Sequence, residues 1–204
     1  VEESCSGDPA KRAGNEFLFQ MQALSNIEVL NSYQVKKIVT ACPHCFNTIK
    51  NEYPELGGIY EVIHHSQLID QLINDGKLKI KDDQLNGKKI TFHDPCYLGR
   101  ANGEYYAPRQ VIRALRADLK EMKSCKEKAM CCGAGGAQMF KDSEKGNKEI
   151  NIKRTEEAIE TKSNIIAAAC PFCNTMLTDG IKSLENNKEI QVKDISELID
   201  KVTD

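Results

Sequence analysis

Nine cysteines carry most of the chemistry available to this 204-residue chain. Six of them stand in close groups: the adjacent pair Cys131–Cys132, which precedes three nearby glycines, and two Cys-Pro-x-Cys motifs at 42–45 and 170–173. A disulfide between adjacent cysteines needs a strained ring, because bridge geometry favours Cα atoms that lie further apart. Zinc fingers normally separate their cysteines by two to four residues. The pair therefore indicates a site to which more distant cysteines also contribute.

The bulk composition is that of a globular chain and excludes several classes of function. The chain is 40% hydrophobic and 28% charged, and its formal net charge of −2 provides no basic field for nucleic acid. No apolar run has the length that spans a bilayer, and no signal-peptide pattern appears. Because the cysteine count is odd, a complete disulfide framework is disfavoured, and metal ligation in a reducing compartment is the preferred interpretation.

Two segments of the chain resemble each other. KKIVTACPHCFNTIKNE at 36–52 and SNIIAAACPFCNTMLTDG at 163–180 each predict a strand, a Cys-Pro-x-Cys motif and a helix. A short strand and an amphipathic helix containing Leu-Ile-Asp follow in both copies. Upstream, SCSGDPAKRAGNEF corresponds to CCGAGGAQMFKDSE, which aligns Cys5 with Cys132. Such steady spacing over a whole segment indicates a duplication.

The duplication predicts an α/β fold of two pseudo-repeated small units with mostly parallel sheets, the first incomplete at its N-terminus. We expect a partial first cysteine-rich domain at 1–80 and a complete second domain at 87–204, separated by the polar, turn-rich segment between Gly76 and Gly87. The second copy is preceded by a predicted strand and Cys96, for which the first copy has no counterpart. We therefore expect the natural protein to continue upstream.

Five cysteines of the second copy follow predicted strands or begin predicted helices: Cys96, Cys131, Cys132, Cys170 and Cys173. In a parallel α/β unit such positions gather at the carboxyl edge of the sheet. Free N–H groups at a helix start stabilise thiolates, and the glycines after the pair would let bulky inorganic sulfur approach the backbone. Five thiolates are one more than zinc or a cubane cluster takes, which favours a cluster whose different irons bind the two adjacent thiols.

The pattern Cys96…Cys131-Cys132-Gly133…Cys170-x-x-Cys173 resembles the cysteine-rich CCG domain of the B subunit of heterodisulfide reductase. It is also similar to the iron–sulfur subunits of glycolate oxidase or dehydrogenase and of anaerobic glycerol-3-phosphate dehydrogenase. The resemblance implies that these five cysteines bind a non-cubane [4Fe-4S] cluster. In the first copy Ser4 replaces the first cysteine of the pair, and the remaining ligands are Cys5, Cys42 and Cys45. With one upstream cysteine these three would form a second cluster or a zinc site.

The resemblance also implies a function, although no catalytic residue is predicted. The chain would be the iron–sulfur region of an oxidoreductase, located in the cytoplasm or at the cytoplasmic face of a membrane. Electrons would come from a flavoprotein dehydrogenase subunit or a ferredoxin-like domain and would go to a quinone or a disulfide.

Two alternatives from other classes remain open. A thioredoxin-like oxidoreductase would use the Cys-Pro-His-Cys motif for thiol–disulfide exchange, but it has no need of the more distant cysteines. A non-catalytic structural module would bind zinc and have no redox activity.

The remaining candidate residues have structural as well as functional interpretations. His93 either tunes a cluster through a hydrogen bond or is a strand-end histidine satisfied by backbone. His44 and the pair His64–His65 are expected to face solvent. Cys125 has no partner in the repeat and is expected to be a plain, partly buried cysteine. The charged run at 141–162 predicts a solvated helix.

Overall fold

The computed structural model describes residues 4–81, 83–142, 145–184 and 189–203. Its helices are α1 (Asp8–Arg12), α2 (Glu16–Ser32), α3 (Pro43–Asn47), α4 (His65–Asn74), α5 (Ala107–Ala114), α6 (Ile150–Glu160), α7 (Pro171–Ser183) and α8 (Ile195–Asp200). Its strands are β1 (Lys37–Thr40), β2 (Glu61–His64), β3 (Lys89–Phe92), β4 (Asp118–Lys120), β5 (Ile165–Ala168) and β6 (Gln191–Asp194). Shorter helical turns cover Thr48–Glu52, Tyr53–Leu56, Lys126–Lys128 and Gln138–Phe140.

The strands form two parallel sheets, which confirms the predicted α/β class. One sheet has the order β1-β2 and the other the order β4-β3-β5-β6. β1 pairs with β2 over four residue pairs, and β5 pairs with β6 over four residue pairs in the same way. In each copy the crossover between the paired strands begins at the Cys-Pro-x-Cys motif. The two copies therefore share one βαβ plan, as the sequence repeat predicted.

The second strand of each copy runs directly into a helix through the same capping arrangement. The Nδ1 atom of His64 accepts a hydrogen bond from the backbone two residues on, and Gln67 accepts one from the His64 backbone N–H at 3.0 Å. At the end of β6, Asp194 and Glu197 make the equivalent pair of bonds. These capping boxes satisfy N–H groups at the helix starts and fix the turn from strand to helix.

The largest hydrophobic core contains side chains from both copies. Phe46 and Val62 of the first copy lie in the same cluster as Ile90, Phe92 and Ile195 of the second. Helix α4 packs against α5 and α8, which joins the copies through their helices. The domain division at 1–80 and 87–204 stays a prediction, because a shared core does not tell whether either part folds alone.

The prediction that the histidines outside the second motif face solvent was wrong. His44, His64 and His65 are 5%, 0% and 8% exposed. They lie where the two copies meet: the ring centroid of His44 is 5.2 Å from that of Phe172, and His65 Nε2 is 3.0 Å from an oxygen of Asp194. The sequence pattern missed this because burial at these positions depends on how the copies pack together.

The charged run is helical from Ile150 to Glu160, but the helix is not fully solvated. Its buried side chains are Asn151, Arg154, Thr155 and Ala158, which recur at the spacing of one helix face. This face packs against α7. Residues 143 and 144 of the run lie outside the described residues.

The contact between α6 and α7 predicts the effect of a glycine substitution. A Cβ atom at Gly180 would overlap the Thr155 hydroxyl and would lie 3.1 Å from the carbonyl oxygen of Asn151. Gly-to-Ala within a helix normally stabilises by about 0.5–1 kcal/mol, but here we expect Gly180→Ala to lower the free energy of unfolding by about 1–3 kcal/mol through overpacking. Urea denaturation measures this value. Gly146→Ala is the control, because no atom lies within 4 Å of that Cβ position; a stabilised Gly180→Ala would contradict the packing.

The buried His64 predicts how stability depends on pH. Burial lowers the pKa of His64 to about 3, whereas an exposed histidine titrates near pH ~6.5. Between these values the unfolded chain binds a proton at this position and the folded chain does not, so stability falls as the pH decreases below ~6.5, by up to about 1.4 kcal/mol per pH unit. We expect His64→Asn, which keeps a capping acceptor but cannot titrate, to show a shallower dependence between about pH 5 and about pH 7 in denaturation titrations. Identical slopes for the two proteins would contradict this assignment.

Candidate metal centre

The elements of the second copy bring its cysteines to one edge of the four-stranded sheet. Cys96 lies in the loop after β3, and the pair Cys131–Cys132 lies in the loop after the turn Lys126–Lys128. Cys170 is the N-cap residue of α7, with proline next to it, and Cys173 lies in the first turn of that helix. Since β3 and β5 are parallel neighbours, their carboxyl ends meet at the same edge.

Seven of the nine cysteines form a continuous series in which each thiol shifts the pKa of the next. We call this series the thiol chain; in order it contains Cys45, Cys42, Cys170, Cys173, Cys132, Cys131 and Cys96. All five cysteines predicted as ligands in the second copy belong to it. The contact between Cys42 and Cys170 joins the two Cys-Pro-x-Cys motifs. Cys5 and Cys125 are outside the thiol chain.

Within the thiol chain, the sulfur of Cys131 accepts hydrogen bonds from its neighbours. Hydrogen bonds from Cys132 and Cys96 lower the pKa of Cys131, and its sulfur also accepts the Gly133 backbone N–H at 3.3 Å. The same contact to Cys131 raises the pKa of Cys132 to about 12. Gly133 itself has a left-handed φ of 94°, a backbone conformation that favours glycine.

Cys170 is the second acceptor. Hydrogen bonds from Cys173 and Cys42 lower the pKa of Cys170, and the contact with Cys170 raises the pKa of Cys42 to about 12. The two thiols with lowered pKa values, Cys170 and Cys131, are thus separated along the thiol chain by Cys173 and Cys132, whose pKa values are raised. A soft cation would allow the intervening thiols to ionise as well, because metal binding releases their protons.

His93 lies beside this site and is almost fully buried. One of its ring nitrogens, the sulfur of Cys132 and the sulfur of Cys173 lie within 4.8 Å of one another. Burial and the nearby Arg154 charge lower the pKa of His93 to about 3, so the imidazole is neutral. One of the two predictions for His93 was that backbone groups satisfy its ring nitrogens. This is wrong for Nδ1, which accepts a hydrogen bond from the side-chain Nε of Arg154 at 3.0 Å.

Arg154 is a buried residue of the site that the sequence analysis missed. Its side chain is fully buried, and its Nη1 atom donates to the Ser124 carbonyl at 2.9 Å and to Glu157 at 2.7 Å. Burial alone would raise the pKa of Glu157, but hydrogen bonds from Ser124 and Arg154 lower it. In the sequence, the burial of Arg154 was indicated only by its helical spacing with Asn151, Thr155 and Ala158, which are small or polar. The many charged residues around them obscured this pattern.

The first copy contributes a looser arrangement. Cys42 and Cys45 are hydrogen-bonded neighbours, and the Ser6 hydroxyl lies 3.3 Å from the Cys45 sulfur. Cys5 is exposed, and no compact group of ligand atoms among the described residues includes it. The predicted ligand set of these three cysteines therefore stays a prediction.

Two cavities lie near the cysteine motifs. One, of about 310 Å³, borders Gly133 and is lined in part by Lys141, Lys148 and Asn151. The other, also of about 310 Å³, borders Cys42 and Cys45 and runs along β1. The second cavity is therefore bordered by cysteine side chains of the thiol chain, whereas the first is bordered only by the glycine that follows the adjacent pair. Among the described residues, no helix is long and apolar enough to cross a membrane.

Comparison with known proteins identifies the family. The model of the cysteine-rich domain named CCG matches residues 1–50 and 90–178. The chain therefore belongs to the CCG cysteine-rich domain family, and the predicted resemblance to this family is confirmed.

Three relatives span most of this chain. The chain is 42% identical over 98% of its length to an "EtfAB:quinone oxidoreductase" of Syntrophomonas wolfei, and 44% identical over 97% to a "probable iron-sulfur-binding oxidoreductase FadF" of Bacillus subtilis. It is 36% identical over 97% to one component of a dihydromethanophenazine:CoB–CoM heterodisulfide reductase of Methanosarcina barkeri. The chain spans only 28%, 28% and 49% of these proteins, respectively. The relatives' names and the clustered thiols together support an iron–sulfur cofactor.

Proposed function

We propose that this region binds an iron–sulfur cluster and passes electrons as part of a larger oxidoreductase. The observation that carries the proposal is the thiol chain, which contains every cysteine of the second motif: Cys96, Cys131, Cys132, Cys170 and Cys173. Sulfur is the donor that iron–sulfur clusters take from proteins. When bound, such a cluster accepts and donates single electrons at a potential set by hydrogen bonds to its sulfurs and by burial.

The number of donors supports the non-cubane [4Fe-4S] type. A cubane cluster takes four cysteines, whereas the second motif brings five thiols into contact. Cys131 and Cys132 belong to one loop, and Gly133 after them leaves space that a side chain would fill against Ile150 and Met176. A cluster larger than a single metal ion needs such space beside its ligands.

We further propose that the first copy holds a second centre, either a cluster or zinc, through Cys5, Cys42, Cys45 and a cysteine from an upstream segment. This second proposal is supported by the unpaired edge of strand β1. In the second copy β5 pairs with β3 on one side and β6 on the other, whereas β1 pairs only with β2 among the described residues. A strand equivalent to β3 would suit the unpaired edge of β1 and would carry the counterpart of Cys96.

The partners of the whole protein follow from the chemistry of its relatives. A quinone acceptor is supported by the relative named a quinone oxidoreductase, and a disulfide acceptor by the relative named a heterodisulfide reductase. We propose a flavoprotein subunit or a ferredoxin-like domain as the electron donor. The cytoplasm, or the cytoplasmic face of a membrane, is the proposed location.

The thiol contacts weigh against a thioredoxin-like enzyme. An attacking thiol in such an enzyme has a lowered pKa at a helix start, but the contact with Cys170 raises the pKa of Cys42 to about 12. The zinc-module alternative has a specific support, because the sulfurs of Cys132 and Cys173 lie within 4.8 Å of each other. Acid-labile sulfide separates a cluster from zinc.

We expect Cys131→Ser to abolish or convert the cluster, because Cys131 contacts both Cys132 and Cys96 within the thiol chain. Iron and sulfide per chain should fall, and the charge-transfer absorption should weaken or change shape, in protein reconstituted without oxygen. The change should be seen at equal protein concentration and equal secondary-structure content.

Cys125→Ser is the matched control, because Cys125 is a partly buried cysteine outside the thiol chain. It should keep the iron, the sulfide and the spectrum of the unaltered protein. If both variants retain the same spectrum, Cys131 is not a ligand and the proposed ligand set fails.

A further inference from the structure

We propose that Arg154 is a positioning residue that fixes His93 as an Nε2–H donor facing the sulfurs of Cys132 and Cys173. The part of this inference that concerns a cluster rests on the proposed function. The part that concerns the histidine tautomer rests on the side chains alone.

The tautomer follows from the donors available. A guanidinium group has only N–H donors and remains charged, so His93 Nδ1, 3.0 Å from Arg154 Nε, must be the acceptor of their hydrogen bond. A neutral imidazole with an unprotonated Nδ1 carries its proton on Nε2. Because Nδ1 is occupied by Arg154, Nε2 is the nitrogen left to interact with the two sulfurs, which lie within 4.8 Å of a ring nitrogen.

Arg154 itself is held in one orientation. Its Nη1 atom donates to the Ser124 carbonyl and to Glu157, and the Ser124 backbone N–H donates to that same carboxylate. The side chain is fully buried, so water does not compete for these bonds. The Glu157 carboxylate, the Arg154 guanidinium and the His93 imidazole thus form a series of hydrogen bonds that ends beside the thiol chain. We call this series the relay.

The relay gives His93 a defined chemical role. An Nε2 atom that carries a proton has no lone pair for a metal ion, so His93 acts from outside the ligand set. A donated N–H reduces the negative charge on a ligand sulfur, and this stabilises the reduced form of a thiolate-bound centre. Arg154 therefore affects the reduction potential of the bound centre indirectly, by orienting His93.

The described residues of the first copy, from Ser4 onward, contain no such relay. Asn26 precedes Arg154 by the same 128 residues that separate Cys42 from Cys170, and it lies on α2, which precedes β1 as α6 precedes β5. Its amide donates to the Cys5 carbonyl at 2.9 Å and to the Tyr53 hydroxyl at 3.1 Å. A neutral amide at this position cannot hold an imidazole through a permanent charge, so the inference applies to the second copy alone.

The tautomer is measured by nitrogen NMR of ¹⁵N-histidine-labelled, metal-free protein under reducing conditions. For His93 we expect a protonated-type Nε2 and an unprotonated-type Nδ1, and a proton on Nδ1 or on both nitrogens would overturn the inference. This measurement needs only the unaltered protein and does not depend on whether a variant folds.

Arg154→Met removes the donor at similar side-chain length. We expect it to release His93 into a mixture of tautomers and to lower the midpoint potential of the reconstituted centre. Arg116→Met is the control, because Arg116 is an exposed arginine whose ion pair, with Asp83, lies away from His93. Arg116→Met should keep the Nε2–H tautomer and the potential.

The inference fails if Arg154→Met keeps both the tautomer and the potential, or if Arg116→Met changes them equally. The iron and sulfide content of the unaltered protein separates this failure from failure of the proposed function. An Nε2–H tautomer in a protein that takes up no iron would support the relay and overturn the proposed function together with the effect on potential.

Discussion

Seven cysteine sulfurs arranged in series, each beside the next, impose a charge constraint on this molecule. Neighbouring thiolates repel one another because both are negatively charged. The thiol chain must therefore contain either protons or a cation between its sulfurs. Protons fill this role without metal, which is why Cys131 and Cys170 accept hydrogen bonds while Cys132 and Cys42 keep their protons. Iron in a cluster fills the same role and replaces the protons. The fold places the thiols accordingly. The parallel strands end at one edge of the sheet, where the cysteines after them lie, and Gly133 allows the loop that contains Cys131 and Cys132 to come close to these cysteines.

The same chain of contacts makes the two copies interdependent. Cys42 meets Cys170, the ring of His44 packs near that of Phe172, and His65 bonds Asp194 across the boundary between the copies. The hydrophobic core beneath these contacts is likewise shared. The two motifs are therefore joined by direct contacts, although their ligand sets differ.

Local patterns in the sequence predicted the strands, the duplication and the two Cys-Pro-x-Cys helices, because each depends on residues close together in the chain. The gathering of Cys96 with Cys131 could also be predicted, since parallel strands end at one edge. The contact between Cys42 and Cys170 could not, because it depends on the packing of one copy on the other. Arg154 was missed for a related reason: its charge suggests solvent, and only the partners His93 and Glu157 make its burial possible.

Metal and acid-labile sulfide analysis, with an absorption spectrum, on protein purified or reconstituted without oxygen tests the iron–sulfur assignment most directly. One cluster bound by the second motif predicts about four iron and about four sulfide per chain, with brown charge-transfer bands. Stoichiometric zinc without sulfide, or a colourless protein free of metal, would contradict it.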